Sequence, residues 1–80
     1  MVAFTLYSTE GCHLCELAEG LLTHFPAYSY TKMDIVHDEN LMALYGVQIP
    51  VLKHEQSKKE LAWPFDTESL GHWLSQFEEE

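Results

Sequence analysis

The chain contains no arginine and four lysines among its 80 residues, set against thirteen acids, for a formal net charge of −9. Proteins that hold nucleic acid do so through basic side chains that displace phosphate counterions, and this chain has too few for that class. An anionic membrane surface is discounted for the same reason. No apolar run approaches the roughly 18 residues of a membrane span. Met1–Tyr7 has neither the basic start nor the long apolar stretch of a secretory signal, so a cytoplasmic location is expected. Internal repeats and low-complexity linkers are also missing. The whole chain, 1–80, therefore reads as one domain, without room for a separate substrate domain. Such a domain buries about 60–65% of its unfolded surface, and its single core supplies about 3–5 kcal/mol of stability. The acidic balance serves solubility. A monomer is expected, with a basic protein partner as the sharper reading of the charge.

What is present falls into short elements. Val2–Tyr7 is an apolar run with aromatic and β-branched members and predicts a buried strand. Ser8-Thr9-Glu10-Gly11 is a turn cluster. Leu14, Leu17, Ala18, Leu21 and Leu22 recur at spacings of three and four, predicting a helix from about Cys12 that ends at Phe25-Pro26. Tyr28–Ile35 predicts a second strand, whose imperfect alternation suits a sheet edge. Asp38 is placed to cap a helix carrying Leu41, Met42, Leu44 and Tyr45, with Gly46 at its C-terminal end. Val47–His54 predicts a third strand interrupted by Pro50, and Glu55–Lys59 the turn leading to Glu60–Trp63. Asp66 is placed to cap a last helix with the stripe Leu70, Trp73, Leu74 and Phe77, and Glu78–Glu80 is expected to fray. The order is β-α-β-α-β-β-α. The first βαβ unit gives parallel strands with a right-handed crossover, and the closing hairpin is antiparallel. The expected class is α/β, a four-stranded mixed sheet flanked by three helices.

Only two cysteines occur, Cys12 and Cys15. Three residues apart on a first helical turn, they lie on one side and within bridging reach. The loop they would close is too small to act as a staple, and a reducing compartment disfavours permanent bridges. Reversible chemistry is the better use. Cys12 falls at the helix N-terminus, where free N–H groups and the helix dipole favour a thiolate. Cys15, one turn inside, is expected to be more buried. Cys12 is then the nucleophile, and Cys15 resolves the mixed disulfide. His13 would add positive charge or simply face solvent, while Glu10 and Glu16 push the thiol pKa upward. A metal reading needs three or four ligands; His13, His24, His37, His54 and His72 are available, but the spacing of the last four to the pair is unconvincing.

Ile49-Pro50-Val51 opens the third strand, where proline is tolerated as a strand's first residue or in a cis bond. Two phrases carry a family resemblance. Phe4-Thr5-Leu6-Tyr7-Ser8-Thr9-Glu10-Gly11-Cys12-His13-Leu14-Cys15 resembles the opening of glutaredoxins and their glutaredoxin-like relatives. Val47-Gln48-Ile49-Pro50-Val51-Leu52 resembles their second signature, in which a cis-proline faces the cysteines. In element order the resemblance covers essentially the whole chain. It implies a thioredoxin-like fold, a cis Pro50 packed beside Cys12, and an Ile49 backbone that pairs with an extended thiol substrate. The chain departs from glutaredoxins in carrying His13 and Leu14 between the cysteines, no basic residue in Ser8-Thr9-Glu10, and Ala62-Trp63-Pro64-Phe65-Asp66 where they carry a glycine-rich glutathione-binding segment.

The resemblance and the residues together predict a thiol–disulfide oxidoreductase with Cys12 as nucleophile and Cys15 as resolving thiol. His13, Ile49 and Pro50 are the expected substrate-binding residues. The substrate is a disulfide-bearing protein or a small thiol, and glutathione stands as a candidate co-substrate. No metal or organic cofactor is implied. The alternative is a non-enzymatic binding module or adaptor of the same fold. Tyr7 and Trp63 are placed either in the core or beside the cleft, and Trp73 in the core.

Overall fold

Strand β1 (Phe4–Ser8) sends alternate side chains to opposite faces, and both faces are covered. In the computed structural model, which describes residues 4–77, β1 runs parallel to β2 (Tyr30–Asp34) and antiparallel to β3 (Val51–His54), which pairs antiparallel with β4 (Glu60–Ala62). The strand order is β2-β1-β3-β4. On one face Phe4, Leu6 and Leu52 meet Ala18 and Leu22 of α1 (His13–Leu22), Leu70 and Leu74 of α3 (Thr67–Ser75), and Phe65 and Phe77. On the other face Tyr7 and Val51 meet Ile35 and Tyr45, the latter from α2 (Glu39–Tyr45). Tyr7 stacks on Tyr45 with ring centroids 4.4 Å apart. The result is the expected α/β fold, a thioredoxin-like four-stranded mixed sheet between α1 and α3 on one side and α2 on the other.

The helix caps follow the sequence. The Asp38 carboxylate accepts from the N–H groups of Asn40 and Leu41. Asp66 accepts from Ser69 N–H at 2.8 Å while Ser69 Oγ returns to Asp66 N–H, a reciprocal capping box. Gly46 ends α2 as expected but with right-handed dihedrals, φ −51° and ψ −33°. A Cβ there would come within 2.5 Å of the Met42 carbonyl oxygen, so close approach rather than a left-handed turn asks for glycine. The buried His54 stacks on Phe77 at 3.9 Å, and its Nδ1 accepts from Ser57 N–H.

Several expectations need correction. The buried line of α1 is Cys15-Ala18-Leu22, whereas Leu14 and Leu17 are exposed. Leu14, Leu17 and Leu21 form a second line of the same period, one residue and about 100° away, so periodicity alone could not select between them. The helix stops at Leu22, three residues short of Phe25, with Thr23 Oγ1 donating to the Gly20 carbonyl. Strand β2 ends at Asp34, and Ile35–His37 is a 3-10 turn whose cap is the Asp34 carboxylate. Strand β3 begins only at Val51, since Pro50 carries no N–H for the ladder. Trp63 lies beyond the end of β4, and its bond to Pro64 is cis. Val2 and Ala3, placed in a strand, and Glu78–Glu80, placed in a frayed end, lie outside the described residues.

Two stability predictions follow from this packing. Leu52 is fully buried at the centre of the larger cluster, and Leu52→Ala should cost about 2–5 kcal/mol, most of the net stability of so small a core; urea unfolding would read the loss. Asp66→Ala should lower stability by removing the cap of α3. The hydrogen bonds from Ser69 hold the Asp66 carboxyl below its ordinary range. Its contribution is therefore complete above the unfolded-state pKa and is lost as pH falls through the lower folded-state value. The gap in unfolding midpoint between wild type and Asp66→Ala should narrow in that acid window.

Candidate active site

The site grows from the end of β1. Ser8, buried, stands opposite Asp34 of the parallel neighbour β2. The chain then turns through Thr9-Glu10-Gly11, and Cys12 N–H closes the turn on the Thr9 carbonyl at 3.3 Å. Gly11 sits at φ +79°, a conformation that strains any residue with a Cβ. Cys12 is still extended (φ −84°, ψ 107°) and is the N-cap of α1. Its Sγ accepts from Cys15 N–H at 3.2 Å, the interaction an N-cap oxygen usually provides.

Cys12 and Cys15 are joined as a disulfide with their Cα atoms 5.2 Å apart. Cys12 is half-buried and Cys15 is 3% exposed. The pair thus has an accessible member at the helix start and a covered member one turn inside, and this geometry supports thiol–disulfide redox chemistry.

A cleft of about 450 Å³ opens over the pair. Ser8–Cys12 form one part of its lining; Cys15, Glu16 and Glu19 of α1 form another; Lys32 and Asp34 of β2 complete it. Four of these residues are acids and one is basic. Lys32 Nζ lies 3.4 Å from Glu19 Oε2, and Tyr30 Oη donates to Glu19 Oε1 at 3.1 Å. Burial pushes the Tyr30 phenol pKa up, and the Glu19 carboxylate adds to the shift. The Asp34 carboxyl is held below its ordinary range, mainly by Val36 N–H, with the Thr9 hydroxyl as a further donor. Asp34 therefore ties the cysteine loop to the end of β2.

The remaining sequence-predicted residues are dispersed. His13 is exposed as the first residue of α1 and does not line the cleft. Ile49 is half-buried and packs against Tyr7, Ile35, Tyr45 and Val51. Pro50 is buried and its bond to Ile49 is cis, as the resemblance implied. Val51 faces Tyr7 in the ladder, which brings Pro50 level with the end of β1, where the cysteine loop leaves. Tyr7 belongs to the core; Trp73 and Trp63 are half-buried and pack on the larger cluster, Trp73 against Phe4 and Phe77 and Trp63 edge-on to Phe65. Among the described residues no three His, Cys, Asp or Glu side chains gather as a metal-holding group, and no helix is long and apolar enough to cross a membrane.

Sequence reasoning missed Glu19, Lys32 and Asp34. Glu19 was within reach, because Cys12, Glu16 and Glu19 recur at spacings of four and three and so share a helix face. Lys32 and Asp34 required the β1–β2 register.

Comparison with known proteins agrees with this architecture. The X-ray structure of the structural-genomics target protein XcR50 from X. campestris is 37% identical, with a TM-score of 0.85, covering 91% of this chain and 96% of that one. The solution structure of the same target gives 37% identity and a TM-score of 0.83, covering 95% of each chain. The solution structure of protein Ne2328 from Nitrosomonas europaea is 29% identical, with a TM-score of 0.76, covering 90% of this chain and 89% of that one. No curated protein matches. The family model of the glutaredoxin-like domain (DUF836) matches residues 3–75, and the chain belongs to that family.

Proposed function

We propose that the protein is a thiol–disulfide oxidoreductase that reduces disulfides through Cys12 and Cys15. The carrying observation is the asymmetry of the pair: Cys12 Sγ is the accessible N-cap of α1 and accepts Cys15 N–H, while Cys15 is buried. In the dithiol form the same N–H and the start of the helix stabilise a Cys12 thiolate. That thiolate attacks a substrate disulfide, forming a Cys12 mixed disulfide and releasing one substrate thiolate. Cys15, as its thiolate, then attacks the Cys12 sulfur and releases the second substrate thiolate. Two electrons pass to the substrate, and the Cys12–Cys15 disulfide is left behind. A thiol reductant, glutathione or a protein dithiol, returns it to the dithiol.

The substrates on this reading are protein disulfides and glutathione mixed disulfides. Ile49 and the cis Pro50, level with the end of β1, form the backbone edge on which an extended substrate would lie. His13, exposed beside the attacking sulfur, would meet the substrate from the helix side. The reaction suits a reducing compartment such as the cytoplasm, where the pair can cycle.

Alkylation of the reduced protein with iodoacetamide as a function of pH should give a Cys12 pKa below the ordinary thiol value of about 8.5. The reduced protein should also turn over a mixed disulfide in the presence of a reductant, and Cys12→Ser should abolish turnover. Cys15→Ser should leave Cys12 able to form the mixed disulfide but unable to release it intramolecularly, so the adduct accumulates and shows by mass spectrometry. An ordinary thiol pKa together with no turnover would overturn the assignment.

A further inference from the structure

We infer that the cleft beside the disulfide selects substrates by charge: the preferred disulfide is flanked by Lys or Arg side chains of a polypeptide, and anionic thiols such as glutathione are poor substrates. The inference rests on the oxidoreductase reading and narrows its substrates to polypeptide disulfides, with glutathione mixed disulfides reacting slowly.

Carboxylates alone would be an ordinary solvated face. Here the reactive pair forms part of the wall of the same 450 Å³ cleft. A sulfur that exchanges with Cys12 from the cleft side brings the residues flanking it into the cleft. There they meet Glu10 from the turn, Glu16 and Glu19 from α1, and Asp34 from β2. Glu16 and Glu19 share the helix face of Cys12, so their position relative to the sulfur is fixed by the helix.

The cation on the cleft wall does not offset this. Lys32 is paired with Glu19, which also accepts from Tyr30. Asp34 is kept ionised by Val36 N–H and the Thr9 hydroxyl. Glu10 and Glu16 are exposed and, among the described residues, without an ion-pair partner. They are the two charges an incoming ammonium or guanidinium can engage. Without arginine anywhere in the chain and with a net charge of −9, the long-range field acts in the same direction.

The exchange itself is unchanged by this selection. The Cys12 thiolate displaces one substrate thiolate, Cys15 displaces the other, and two electrons leave the dithiol. Charge alters how often and how long a substrate disulfide lies against Cys12.

The test measures second-order rate constants of the dithiol protein with three peptide disulfides that differ only in having Lys, Ser or Glu beside the disulfide. The Lys peptide should react about tenfold faster than the Glu peptide at low salt. That ratio should collapse toward one at about 0.5 M salt, where screening is over a few ångströms. The double variant Glu10→Gln/Glu16→Gln should shrink the ratio at low salt. Glu39→Gln/Glu68→Gln, which removes the same charge from α2 and α3, should keep it. Using the ratio cancels any change in thiol reactivity caused by the substitutions. Equal rates for Lys and Glu peptides, a faster Glu peptide, or an equal loss in both double variants would overturn the inference. Reaction with the Ser peptide reports the oxidoreductase reading separately; no reaction with any peptide would overturn that reading and the inference with it.

Discussion

Residue 12 has to end an extended loop and begin a helix at the same time, and the site depends on that junction. Cys12 keeps extended dihedrals so that its side chain can turn back over the first helical turn and accept Cys15 N–H. A helix leaves its first N–H groups without internal partners, and here sulfur takes the place usually held by a serine, threonine or aspartate oxygen. The demand propagates backwards. Gly11 must be left-handed to aim Cys12 at the helix, and β1 must end at Ser8 to leave room for the turn. It also propagates forwards. With the cap at Cys12, Cys15 falls on the line that continues through Ala18 and Leu22 into the larger core cluster. One hydrogen bond therefore goes together with the exposure of one cysteine and the burial of the other.

The element order, the helix caps at Asp38 and Asp66, the helix start near Cys12 and the edge position of β2 were legible from local chemistry. These features depend on residues within a turn of each other. The face of α1 was not legible, because two lines of apolar residues one position apart have the same period, and only the sheet beneath decides which is buried. Nor was the 3-10 turn capped by Asp34, which arises where the ladder of β2 runs out of partners; the start of β3 was half legible, since Pro50 marked an entry that the apolar run from Val47 obscured. The cysteine pair was legible from spacing and position. The cleft was half legible: Glu10 and Glu16 flank the pair in sequence, but Lys32 and Asp34 reach it only through the parallel register of β1 with β2.

The cleft sets two electrostatic effects against one another at a single sulfur. The Cys15 N–H and the helix start favour a thiolate, whereas four neighbouring carboxylates oppose it. A hydrogen bond to a charged acceptor contributes about 1.5–3 kcal/mol, and an exposed charge across a solvated cleft contributes about 0.2–1 kcal/mol. Glu10 and Glu16 are exposed, and Glu19 already has Lys32 and Tyr30 as partners. The local donor is larger than the effect of any single carboxylate, and the proposed nucleophile depends on it against their sum. An approaching substrate does not share that hydrogen bond. For its flanking groups the four carboxylates outnumber the one lysine of the cleft wall, and at longer distances the field of the whole acidic chain adds to theirs. The same charges that one local donor counters at Cys12 can in this way bear on which disulfide reaches it, because the helix-start donor serves Cys12.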